Sequence, residues 1–257
     1  MILTVHIGNS NITVGGFEDD ALRFVGHITT ETRTEDEFAI ALRGLLQLHG
    51  VDTPPTGAII ASVVPPLTQS VETALMRLTG RRPLVVGPGV KTGLNIAIEN
   101  PNQLGSDLVV SAVAAAASYA LPLVVISVGT ATTFSVVDAS GCFRGGIIAP
   151  GVRISHDALV GRASMLTPTP LSAPKNVIGT NTADCLRSGC VIGAAAMIDG
   201  LLARIEAELN ASVSVVATGS LAKMIVPQCQ RQIAVDEHLT MRGLAYLYAK
   251  NTRKKGD

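Results

Sequence analysis

The sequence carries no net charge. Twenty lysines and arginines balance twenty aspartates and glutamates over 257 residues, which argues against a broad nucleic-acid-binding or anionic-membrane surface. The basic residues Arg253, Lys254 and Lys255 read as a short solvated tail. Tryptophan is absent and aromatics reach only 3%, so the 47% hydrophobic content is mostly aliphatic, and ample for a core. The four cysteines, Cys142, Cys185, Cys190 and Cys229, form no CxxC pair and have no histidines at ligand spacing, which excludes a zinc module and suits reduced packing residues. No charged-then-apolar leader precedes the first strand pattern, so a cytoplasmic protein is expected. One uncharged run, Leu108 to Ser127, is long enough to span a bilayer. Pro122 divides it into an alanine-rich part and a β-branched part, and a buried helix followed by a buried strand is the better reading.

Two similar successions of elements follow. Leu3–Ile7, Asn11–Gly16 and Leu22–Thr29 read as strands, then Glu35–Leu48 as a helix with Phe38, Leu42, Leu45 and Leu46 on one face. Strand Gly57–Val63, helix Leu67–Leu78 and strand Pro83–Val86 complete the first set. Strands Pro122–Val128, Thr132–Asp138 and Phe143–Ile148, helices near Ser155–Ala163 and Ala183–Leu209, strand Ser214–Thr218, helix Leu221–Ile225, strand Gln232–Val235 and helix Thr240–Asn251 form the second. A repeated β-β-β-α-β-α-β order implies two α/β lobes with mostly parallel sheets and a cleft between them. The boundary is expected near Pro101–Asp107, which gives lobes of residues 1–106 and 107–257. Gly87–Gly105 is expected to be a long ordered loop.

Each lobe opens with a hairpin of glycine and small polar residues: Gly8, Asn9, Ser10 and Asn11 in the first, Gly129, Thr130, Ala131, Thr132 and Thr133 in the second. Glycine admits close backbone approach, and N–H and hydroxyl groups can then surround phosphate oxygens. One such turn is ordinary; a pair, one per lobe, is far more specific. A third glycine-bearing stretch, "VATGSLAK" at Val216–Lys223, joins a strand to a helix, where a nucleotide could meet the helix N-terminus.

These motifs carry a resemblance. "HIGNSNITVGGF", "TEDEFAIAL", "ASVVPPL", "PLVVGPGVKTGLNI", "ENPNQLGSDLVVSAVAA", "SVGTATTFSVVD", "GGIIAPG", "NTADCLRSGCVIG" and "ATGSLAK" together resemble type III pantothenate kinases, of the acetate kinase, sugar kinase, Hsp70 and actin superfamily. The resemblance covers nearly the whole chain. It implies an α/β, actin-like fold of two duplicated ribonuclease H-like lobes with an interlobe cleft. It implies ATP-dependent phosphorylation of pantothenate to 4'-phosphopantothenate in coenzyme A biosynthesis. Magnesium, a monovalent cation (potassium or ammonium) and a homodimer with the substrate site near the subunit boundary come with it. By position, His6, Gly8, Asn9, Ser10 and Asn11 would face the ATP phosphates, with Gly129, Thr130, Thr132 and Gly219 also on ATP. Gly105, Ser106, Asp107, Leu108 and Thr182 would contact pantothenate, Asp107 as general base, and Ser127 would stand at the monovalent-cation position.

Three positions depart from the family pattern. The first hairpin, normally D-x-G-N-[TS], reads "HIGNS"; the substrate segment, normally G-x-D-R, reads "GSDL"; the second hairpin, normally led by aspartate, reads "SVGTATT". Ser220 also replaces a usual second glycine. Imidazole is a poorer magnesium ligand than carboxylate. Leu108 offers the pantothenate carboxylate no guanidinium, a loss of about 2–5 kcal/mol if the pair is buried. Ser127 is only a neutral ligand. Weak or lost kinase activity is the expectation, and a catalytically silent paralogue that binds a ligand or regulates is the alternative. His6 is either a strand-end polar residue or, if protonated, a direct phosphate contact. Asp107 could on spacing alone be a helix N-cap. His27, His49, His156 and His238 read as surface or packing residues.

Overall fold

The computed structural model describes residues 1–101 and 104–252; Asn102, Gln103 and the tail residues Arg253, Lys254 and Lys255 lie outside them. In chain order the elements are β1 (Ile2–Ile7), β2 (Asn11–Glu18), β3 (Ala21–Thr29), α1 (Glu35–Leu48), β4 (Gly57–Ser62), α2 (Pro65–Thr79), β5 (Leu84–Val85), β6 (Asn95–Ile96) and α3 (Ser106–Ser118). Then follow β7 (Leu123–Val128), β8 (Ala131–Val137), β9 (Cys142–Pro150), α4 (Val152–Arg162), α5 (Thr182–Leu209), β10 (Ser214–Thr218), α6 (Ala222–Ile225), β11 (Ala234–Val235) and α7 (Leu239–Thr252). They fall into two compact units. The first comprises Met1–Gly93, Glu99–Ala114 and the segment from His238; the second comprises Leu94–Ile98 and Ala115–Glu237.

Alternation along β1 organises the first unit. Leu3, Val5 and Ile7 are fully buried on one face, while Thr4 and His6 project to the other. β1 pairs antiparallel with β2 and parallel with β4, giving the sheet order β3-β2-β1-β4-β5. Helix α1 starts where Thr34 and Glu37 cap each other reciprocally: the Glu37 N–H donates to Thr34 Oγ1 at 3.3 Å, and the Thr34 N–H to Glu37 Oε2 at 2.8 Å. Its Phe38, Leu42 and Leu46, with Leu67, Val71 and Leu75 of α2, close over Leu3, Val5 and Ile7. The opposite face of β1 receives α7: the Thr4 hydroxyl meets Met241 Sδ at 3.4 Å, and α7 packs on β4 as well.

The second unit repeats the plan. β7, β8 and β9 form an antiparallel meander, β10 and β11 add in parallel, and the order β11-β10-β7-β8-β9 mirrors the first sheet strand for strand. This is the duplicated α/β architecture read from the sequence. Helix α5 is long and apolar enough to cross a membrane by length and composition, but its Val191, Ala195, Ile198, Leu202 and Ile205 are buried in this unit's core. The uncharged run from Leu108 forms most of α3 and then β7, a helix and a strand, as its proline predicts.

Three features differ from the sequence reading. The sheets are mixed and not mostly parallel: the first has two antiparallel pairings, β1 with β2 and β2 with β3, beside two parallel ones, β1 with β4 and β4 with β5. The stretch 87–105, expected as loop, contains β6, which extends the second sheet by parallel pairing of Asn95 with Cys142 and Ile96 with Phe143. The last helix, expected with the second lobe, packs on β1 and β4 of the first unit.

Candidate functional site

The strand-to-strand turn after β1 is held from both sides. The Gly8 N–H donates to the Asn11 carbonyl at 3.1 Å, the Thr30 hydroxyl to the Gly8 carbonyl at 2.7 Å, and the Thr30 N–H to the Ser10 carbonyl at 3.1 Å. Asn9, Ser10 and Asn11 are left exposed at the tip, while Gly8 is buried. A side chain at residue 8 would press its Cβ to 3.0 Å from the Asn11 carbonyl oxygen and 3.4 Å from His6 Cε1. Glycine thus lets the His6 ring lie over the turn.

His6 occupies the last position of β1 on the face shared with Thr4, in register with Thr13 of β2 and Ala61 of β4. Its Nε2 is sealed from solvent and has no hydrogen-bond partner. Burial pushes the imidazole pKa down, the Asp107 carboxylate pulls it up, and burial wins, leaving it below the ordinary 6.5. Burial thus works against a standing imidazolium at His6, the charged form that a direct phosphate contact would need.

Asp107 reaches this place because α3 begins at Ser106. The Ser106 hydroxyl donates to the Ser62 carbonyl at 3.0 Å, tying the helix start to the end of β4. The Leu108 and Val109 N–H groups both donate to the Gly105 carbonyl, at 3.1 and 3.4 Å. Asp107 lies inside the first turn and is not the N-cap residue, so the capping explanation of this carboxylate falls away. A Cβ on residue 105 would stand 2.7 Å from Asp107 Oδ1. The sequence-predicted residues His6, Gly8–Asn11 and Gly105–Leu108 thus belong to one compact unit, with His6 and Asp107 close enough to act on each other's charge.

The second hairpin is assembled within the other unit. Ser127, near the end of β7, stands in register between Thr133 of β8 and Thr218 of β10. The Gly129 N–H donates to the Ala131 carbonyl at 3.0 Å, and Thr130 is exposed at the tip. Thr132 is buried, and its hydroxyl has no partner. Gly219 has φ +97°, where an added Cβ would meet the Val128 carbonyl oxygen at 2.5 Å, and the Leu221 N–H donates to that same carbonyl at 3.1 Å. The "ATGSLAK" segment is therefore fastened to the base of the second hairpin. Gly151 backs the hairpin too: a Cβ there would collide with the Thr130 and Gly129 carbonyl oxygens. Thr182 is exposed at the start of α5, directly after the cap Asn181.

One histidine read from the sequence as surface or packing is a packing residue that also lines a cavity. His156 of α4 is buried, with Nδ1 2.9 Å from Asp157 Oδ1 and an unpartnered Nε2. It lines a cavity of about 320 Å³ with Arg153, Asp157, Thr169, Pro170, Leu171 and Met224. No spacing pattern marks it, because the cavity wall is completed by a loop and by α6.

Two α/β units, each with a glycine turn after its first strand, define the actin-like class of folds. Solved structures bear out the fold. Component A of (R)-2-hydroxyglutaryl-CoA dehydratase from Acidaminococcus fermentans superposes with a TM-score of 0.60 at 13% identity, covering 98% of this chain and 99% of its own. The activator of 2-hydroxyisocaproyl-CoA dehydratase from Clostridium difficile, solved with bound ADPNP, gives 0.52 at 12% identity over 100% and 99%. Sequence narrows the class. The type III pantothenate kinase family model matches residues 2–204. The type III pantothenate kinase of Anaeromyxobacter sp. strain K is 44% identical over 253 residues, covering 98% of this chain and all of its own. That of Halalkalibacterium halodurans is 40% identical over 259 residues, with 98% and 100% covered. The chain belongs to the type III pantothenate kinase family.

Proposed function

We propose that this protein is an ATP-dependent phosphotransferase of the pantothenate kinase type whose phosphorylation of pantothenate is weak or lost when magnesium is the metal. The observation that carries this reading is the pairing of an intact base, Asp107, with a half-buried imidazole whose Nε2 has no partner, where the family pattern has a carboxylate. In the proposed reaction Asp107 accepts the proton of the pantothenate hydroxyl. The freed oxygen attacks the γ-phosphorus of ATP, the new P–O bond forms as the bond to the β-phosphate oxygen breaks, and ADP leaves. The hairpin at Gly8–Asn11, the hairpin at Gly129–Thr132 and Gly219 hold the nucleotide; Gly105–Leu108 and Thr182 hold pantothenate. A divalent ion supplies neutralisation of phosphate charge. The residues present fit magnesium poorly, because His6 Nε2 is a nitrogen donor where a hard oxygen is wanted. They fit a monovalent cation poorly as well, since Ser127 brings no charge. The balanced charge of the sequence favours a small-molecule substrate over a nucleic-acid or membrane partner, and a cytoplasmic homodimer is the proposed form.

A catalytically silent, ligand-binding or regulatory paralogue is the second reading. It is favoured by the coincidence of all three departures, His6, Leu108 and Ser127, on metal, substrate and cation positions. A coupled assay with magnesium on three proteins separates the two. The native chain should turn over well below the roughly 1–100 per second of ordinary kinases. His6→Asp with Ser127→Asp should restore ATP handling but not pantothenate affinity. Adding Leu108→Arg should raise activity by more than the separate changes predict, since these residues work as a unit. Native turnover in the ordinary range overturns the weakened-site reading; a triple variant that binds both ligands and remains inert favours the silent one.

A further inference from the structure

We propose that the cavity along α4 is a binding site for a small aliphatic amino acid. Arg153 takes its carboxylate, Asp157 and the Thr169 hydroxyl take its ammonium, and Leu171 and Met224 take its side chain. The site lies wholly in the second unit and does not depend on the kinase reading.

The cavity holds about 320 Å³, at the small end of the range for ligand sites. Residues 153, 156 and 157 stand at i, i+3 and i+4 of α4, so they share one helix face and form one wall. Thr169, Pro170 and Leu171 form a second wall, and Met224 of α6 completes the lining. These parts are fixed in place. The Pro170 carbonyl accepts from Arg187 Nε of α5 at 3.3 Å, and Leu171 and Met224 pack on the second unit's core.

The charges along α4 are arranged against the helix's own interest. Arg153 sits in the first turn, where the helix dipole favours an anion over a cation. Among the described residues no carboxylate pairs with it, although Asp157 lies one turn on. Asp157 is engaged by its neighbour instead: His156 Nδ1–H donates to Asp157 Oδ1 at 2.9 Å. The His156 side chain is only 8% exposed, while that of Asp157 is 67% exposed. The other ring nitrogen, Nε2, is enclosed and has no partner, so burying this ring carries a cost. What the ring provides is a carboxylate held away from Arg153, which makes His156 a positioning residue. The cavity therefore offers a cation and an anion that do not neutralise each other. The Thr169 hydroxyl donates to the Thr167 carbonyl at 3.2 Å, which leaves its lone pairs for an N–H donor. Pro170, Leu171 and Met224 supply apolar surface. A ligand with a carboxylate, an ammonium and an aliphatic body answers all of these groups. A simple carboxylate or a simple amine leaves one charge unanswered.

The test uses the full chain with isotope-labelled methionine methyl groups, observed by NMR, and L-leucine as the probe. The Met224 signal is identified by its loss in Met224→Leu. Isocaproate, which lacks the ammonium, and isoamylamine, which lacks the carboxylate, are the controls. Leucine should shift the Met224 signal saturably, and both controls should bind about tenfold more weakly. In Arg153→Gln the preference for leucine over isoamylamine should vanish while that over isocaproate persists. In Asp157→Asn the reverse should hold. Both residues are exposed, so both variants should melt near the native temperature. His156→Phe should behave as Asp157→Asn does, and His156→Gln, which keeps a donor, should recover part of the preference. A loss of packing alone does not split the two preferences in this way. No saturable shift at millimolar leucine, equal shifts by the three probes, or preferences unchanged in the two charge variants overturns the proposal. So does competitive displacement of leucine by a non-hydrolysable ATP analogue that itself moves the Met224 signal, because the cavity then belongs to the nucleotide.

Discussion

Two glycines illustrate how a single missing side chain serves the site in different ways. At residue 105 an added Cβ crowds Asp107 Oδ1, the end of a side chain, at 2.7 Å, and its next neighbour, Leu108 Cγ, is at an ordinary 3.8 Å. At residue 219 it meets backbone atoms of Val128 from 2.5 Å, and the φ of +97° is one that other residues rarely adopt. Gly105→Ala should therefore fold with a melting temperature near native but turn the carboxylate away. Measured in the His6→Asp, Ser127→Asp, Leu108→Arg background, it should lower kcat about ten- to a hundredfold. Gly219→Ala should instead cost about 1–3 kcal/mol of stability, seen in denaturant unfolding. An equal effect of both changes on stability would refute the distinction. At this scale the sequence was informative about which residues to name and silent about their state. The identities of His6, Asp107, Gly129 and Gly219 were readable in the motifs. The half-burial of His6 was not, because alternation along β1 does not say which distant element covers the face it shares with Thr4, and that element is α7. The cavity beside His156 was unreadable for the same reason.

The joining of α5 to β10 shows an electrostatic tie between elements. Arg231 donates from Nη1 to Glu206 Oε2 at 2.6 Å and from Nη2 to Glu206 Oε1 at 2.8 Å and the Val213 carbonyl at 2.7 Å; Glu206 Oε1 also accepts the Val213 N–H at 2.9 Å. The Arg231 hydrogen bonds, and then the Val213 N–H, hold the Glu206 pKa down from 4.5 to about 2. A carboxylate depressed on folding adds stability above its unfolded pKa and loses it as pH falls through the folded value. The contribution should thus be complete above pH 4.5 and gone near pH 2. Solvent reaches both side chains, so its size should be about 1–2 kcal/mol and not the full linkage value. Glu206→Gln should lower stability by that amount at pH 7 and flatten the loss between pH 4.5 and 2. Parallel acid limbs in the two proteins would sink the assignment. Among elements, periodicity made α1, β10 and the duplicated order legible nearly to the residue. It did not reveal β6, where only Asn95 and Ile96 pair and no alternation can register. Nor did it reveal the packing of α7: the spacing of Leu239, Leu244 and Leu247 declares a buried face without saying which sheet covers it. That choice is made by Met241 against Thr4, and by Gly243, whose lack of a side chain admits the Val110 carbonyl.

For the molecule as a whole, helix α5 carries the case for self-association. One of its faces is spent on the second unit's core. On another, Gly189, Gly193, Ala196 and Gly200 recur at helical spacing and are exposed, and side chains added at the three glycines would enter open space within the subunit. Asp199, the one charge in this stretch, does not spoil that face, because its carboxylate accepts the Gln230 and Arg231 N–H groups at 2.8 and 3.3 Å. Three glycines in a helix interior each cost about 1 kcal/mol relative to alanine, a cost that close approach of a second helix would offset. A twofold dimer with this face at its centre is the expected form, and it agrees with the family resemblance. Light scattering at micromolar concentration should report a dimer for the native chain and a folded monomer for Gly193→Arg. Gly193→Ala separates the alternatives further. If the face were simply solvated, the added methyl group should stabilise the protein by up to about 1 kcal/mol with no change in mass. If it is an interface packed at that glycine, the same methyl should weaken the dimer and make thermal stability more dependent on protein concentration. A native chain that stays monomeric, or a Gly193→Arg variant that remains dimeric, would remove α5 from the assembly.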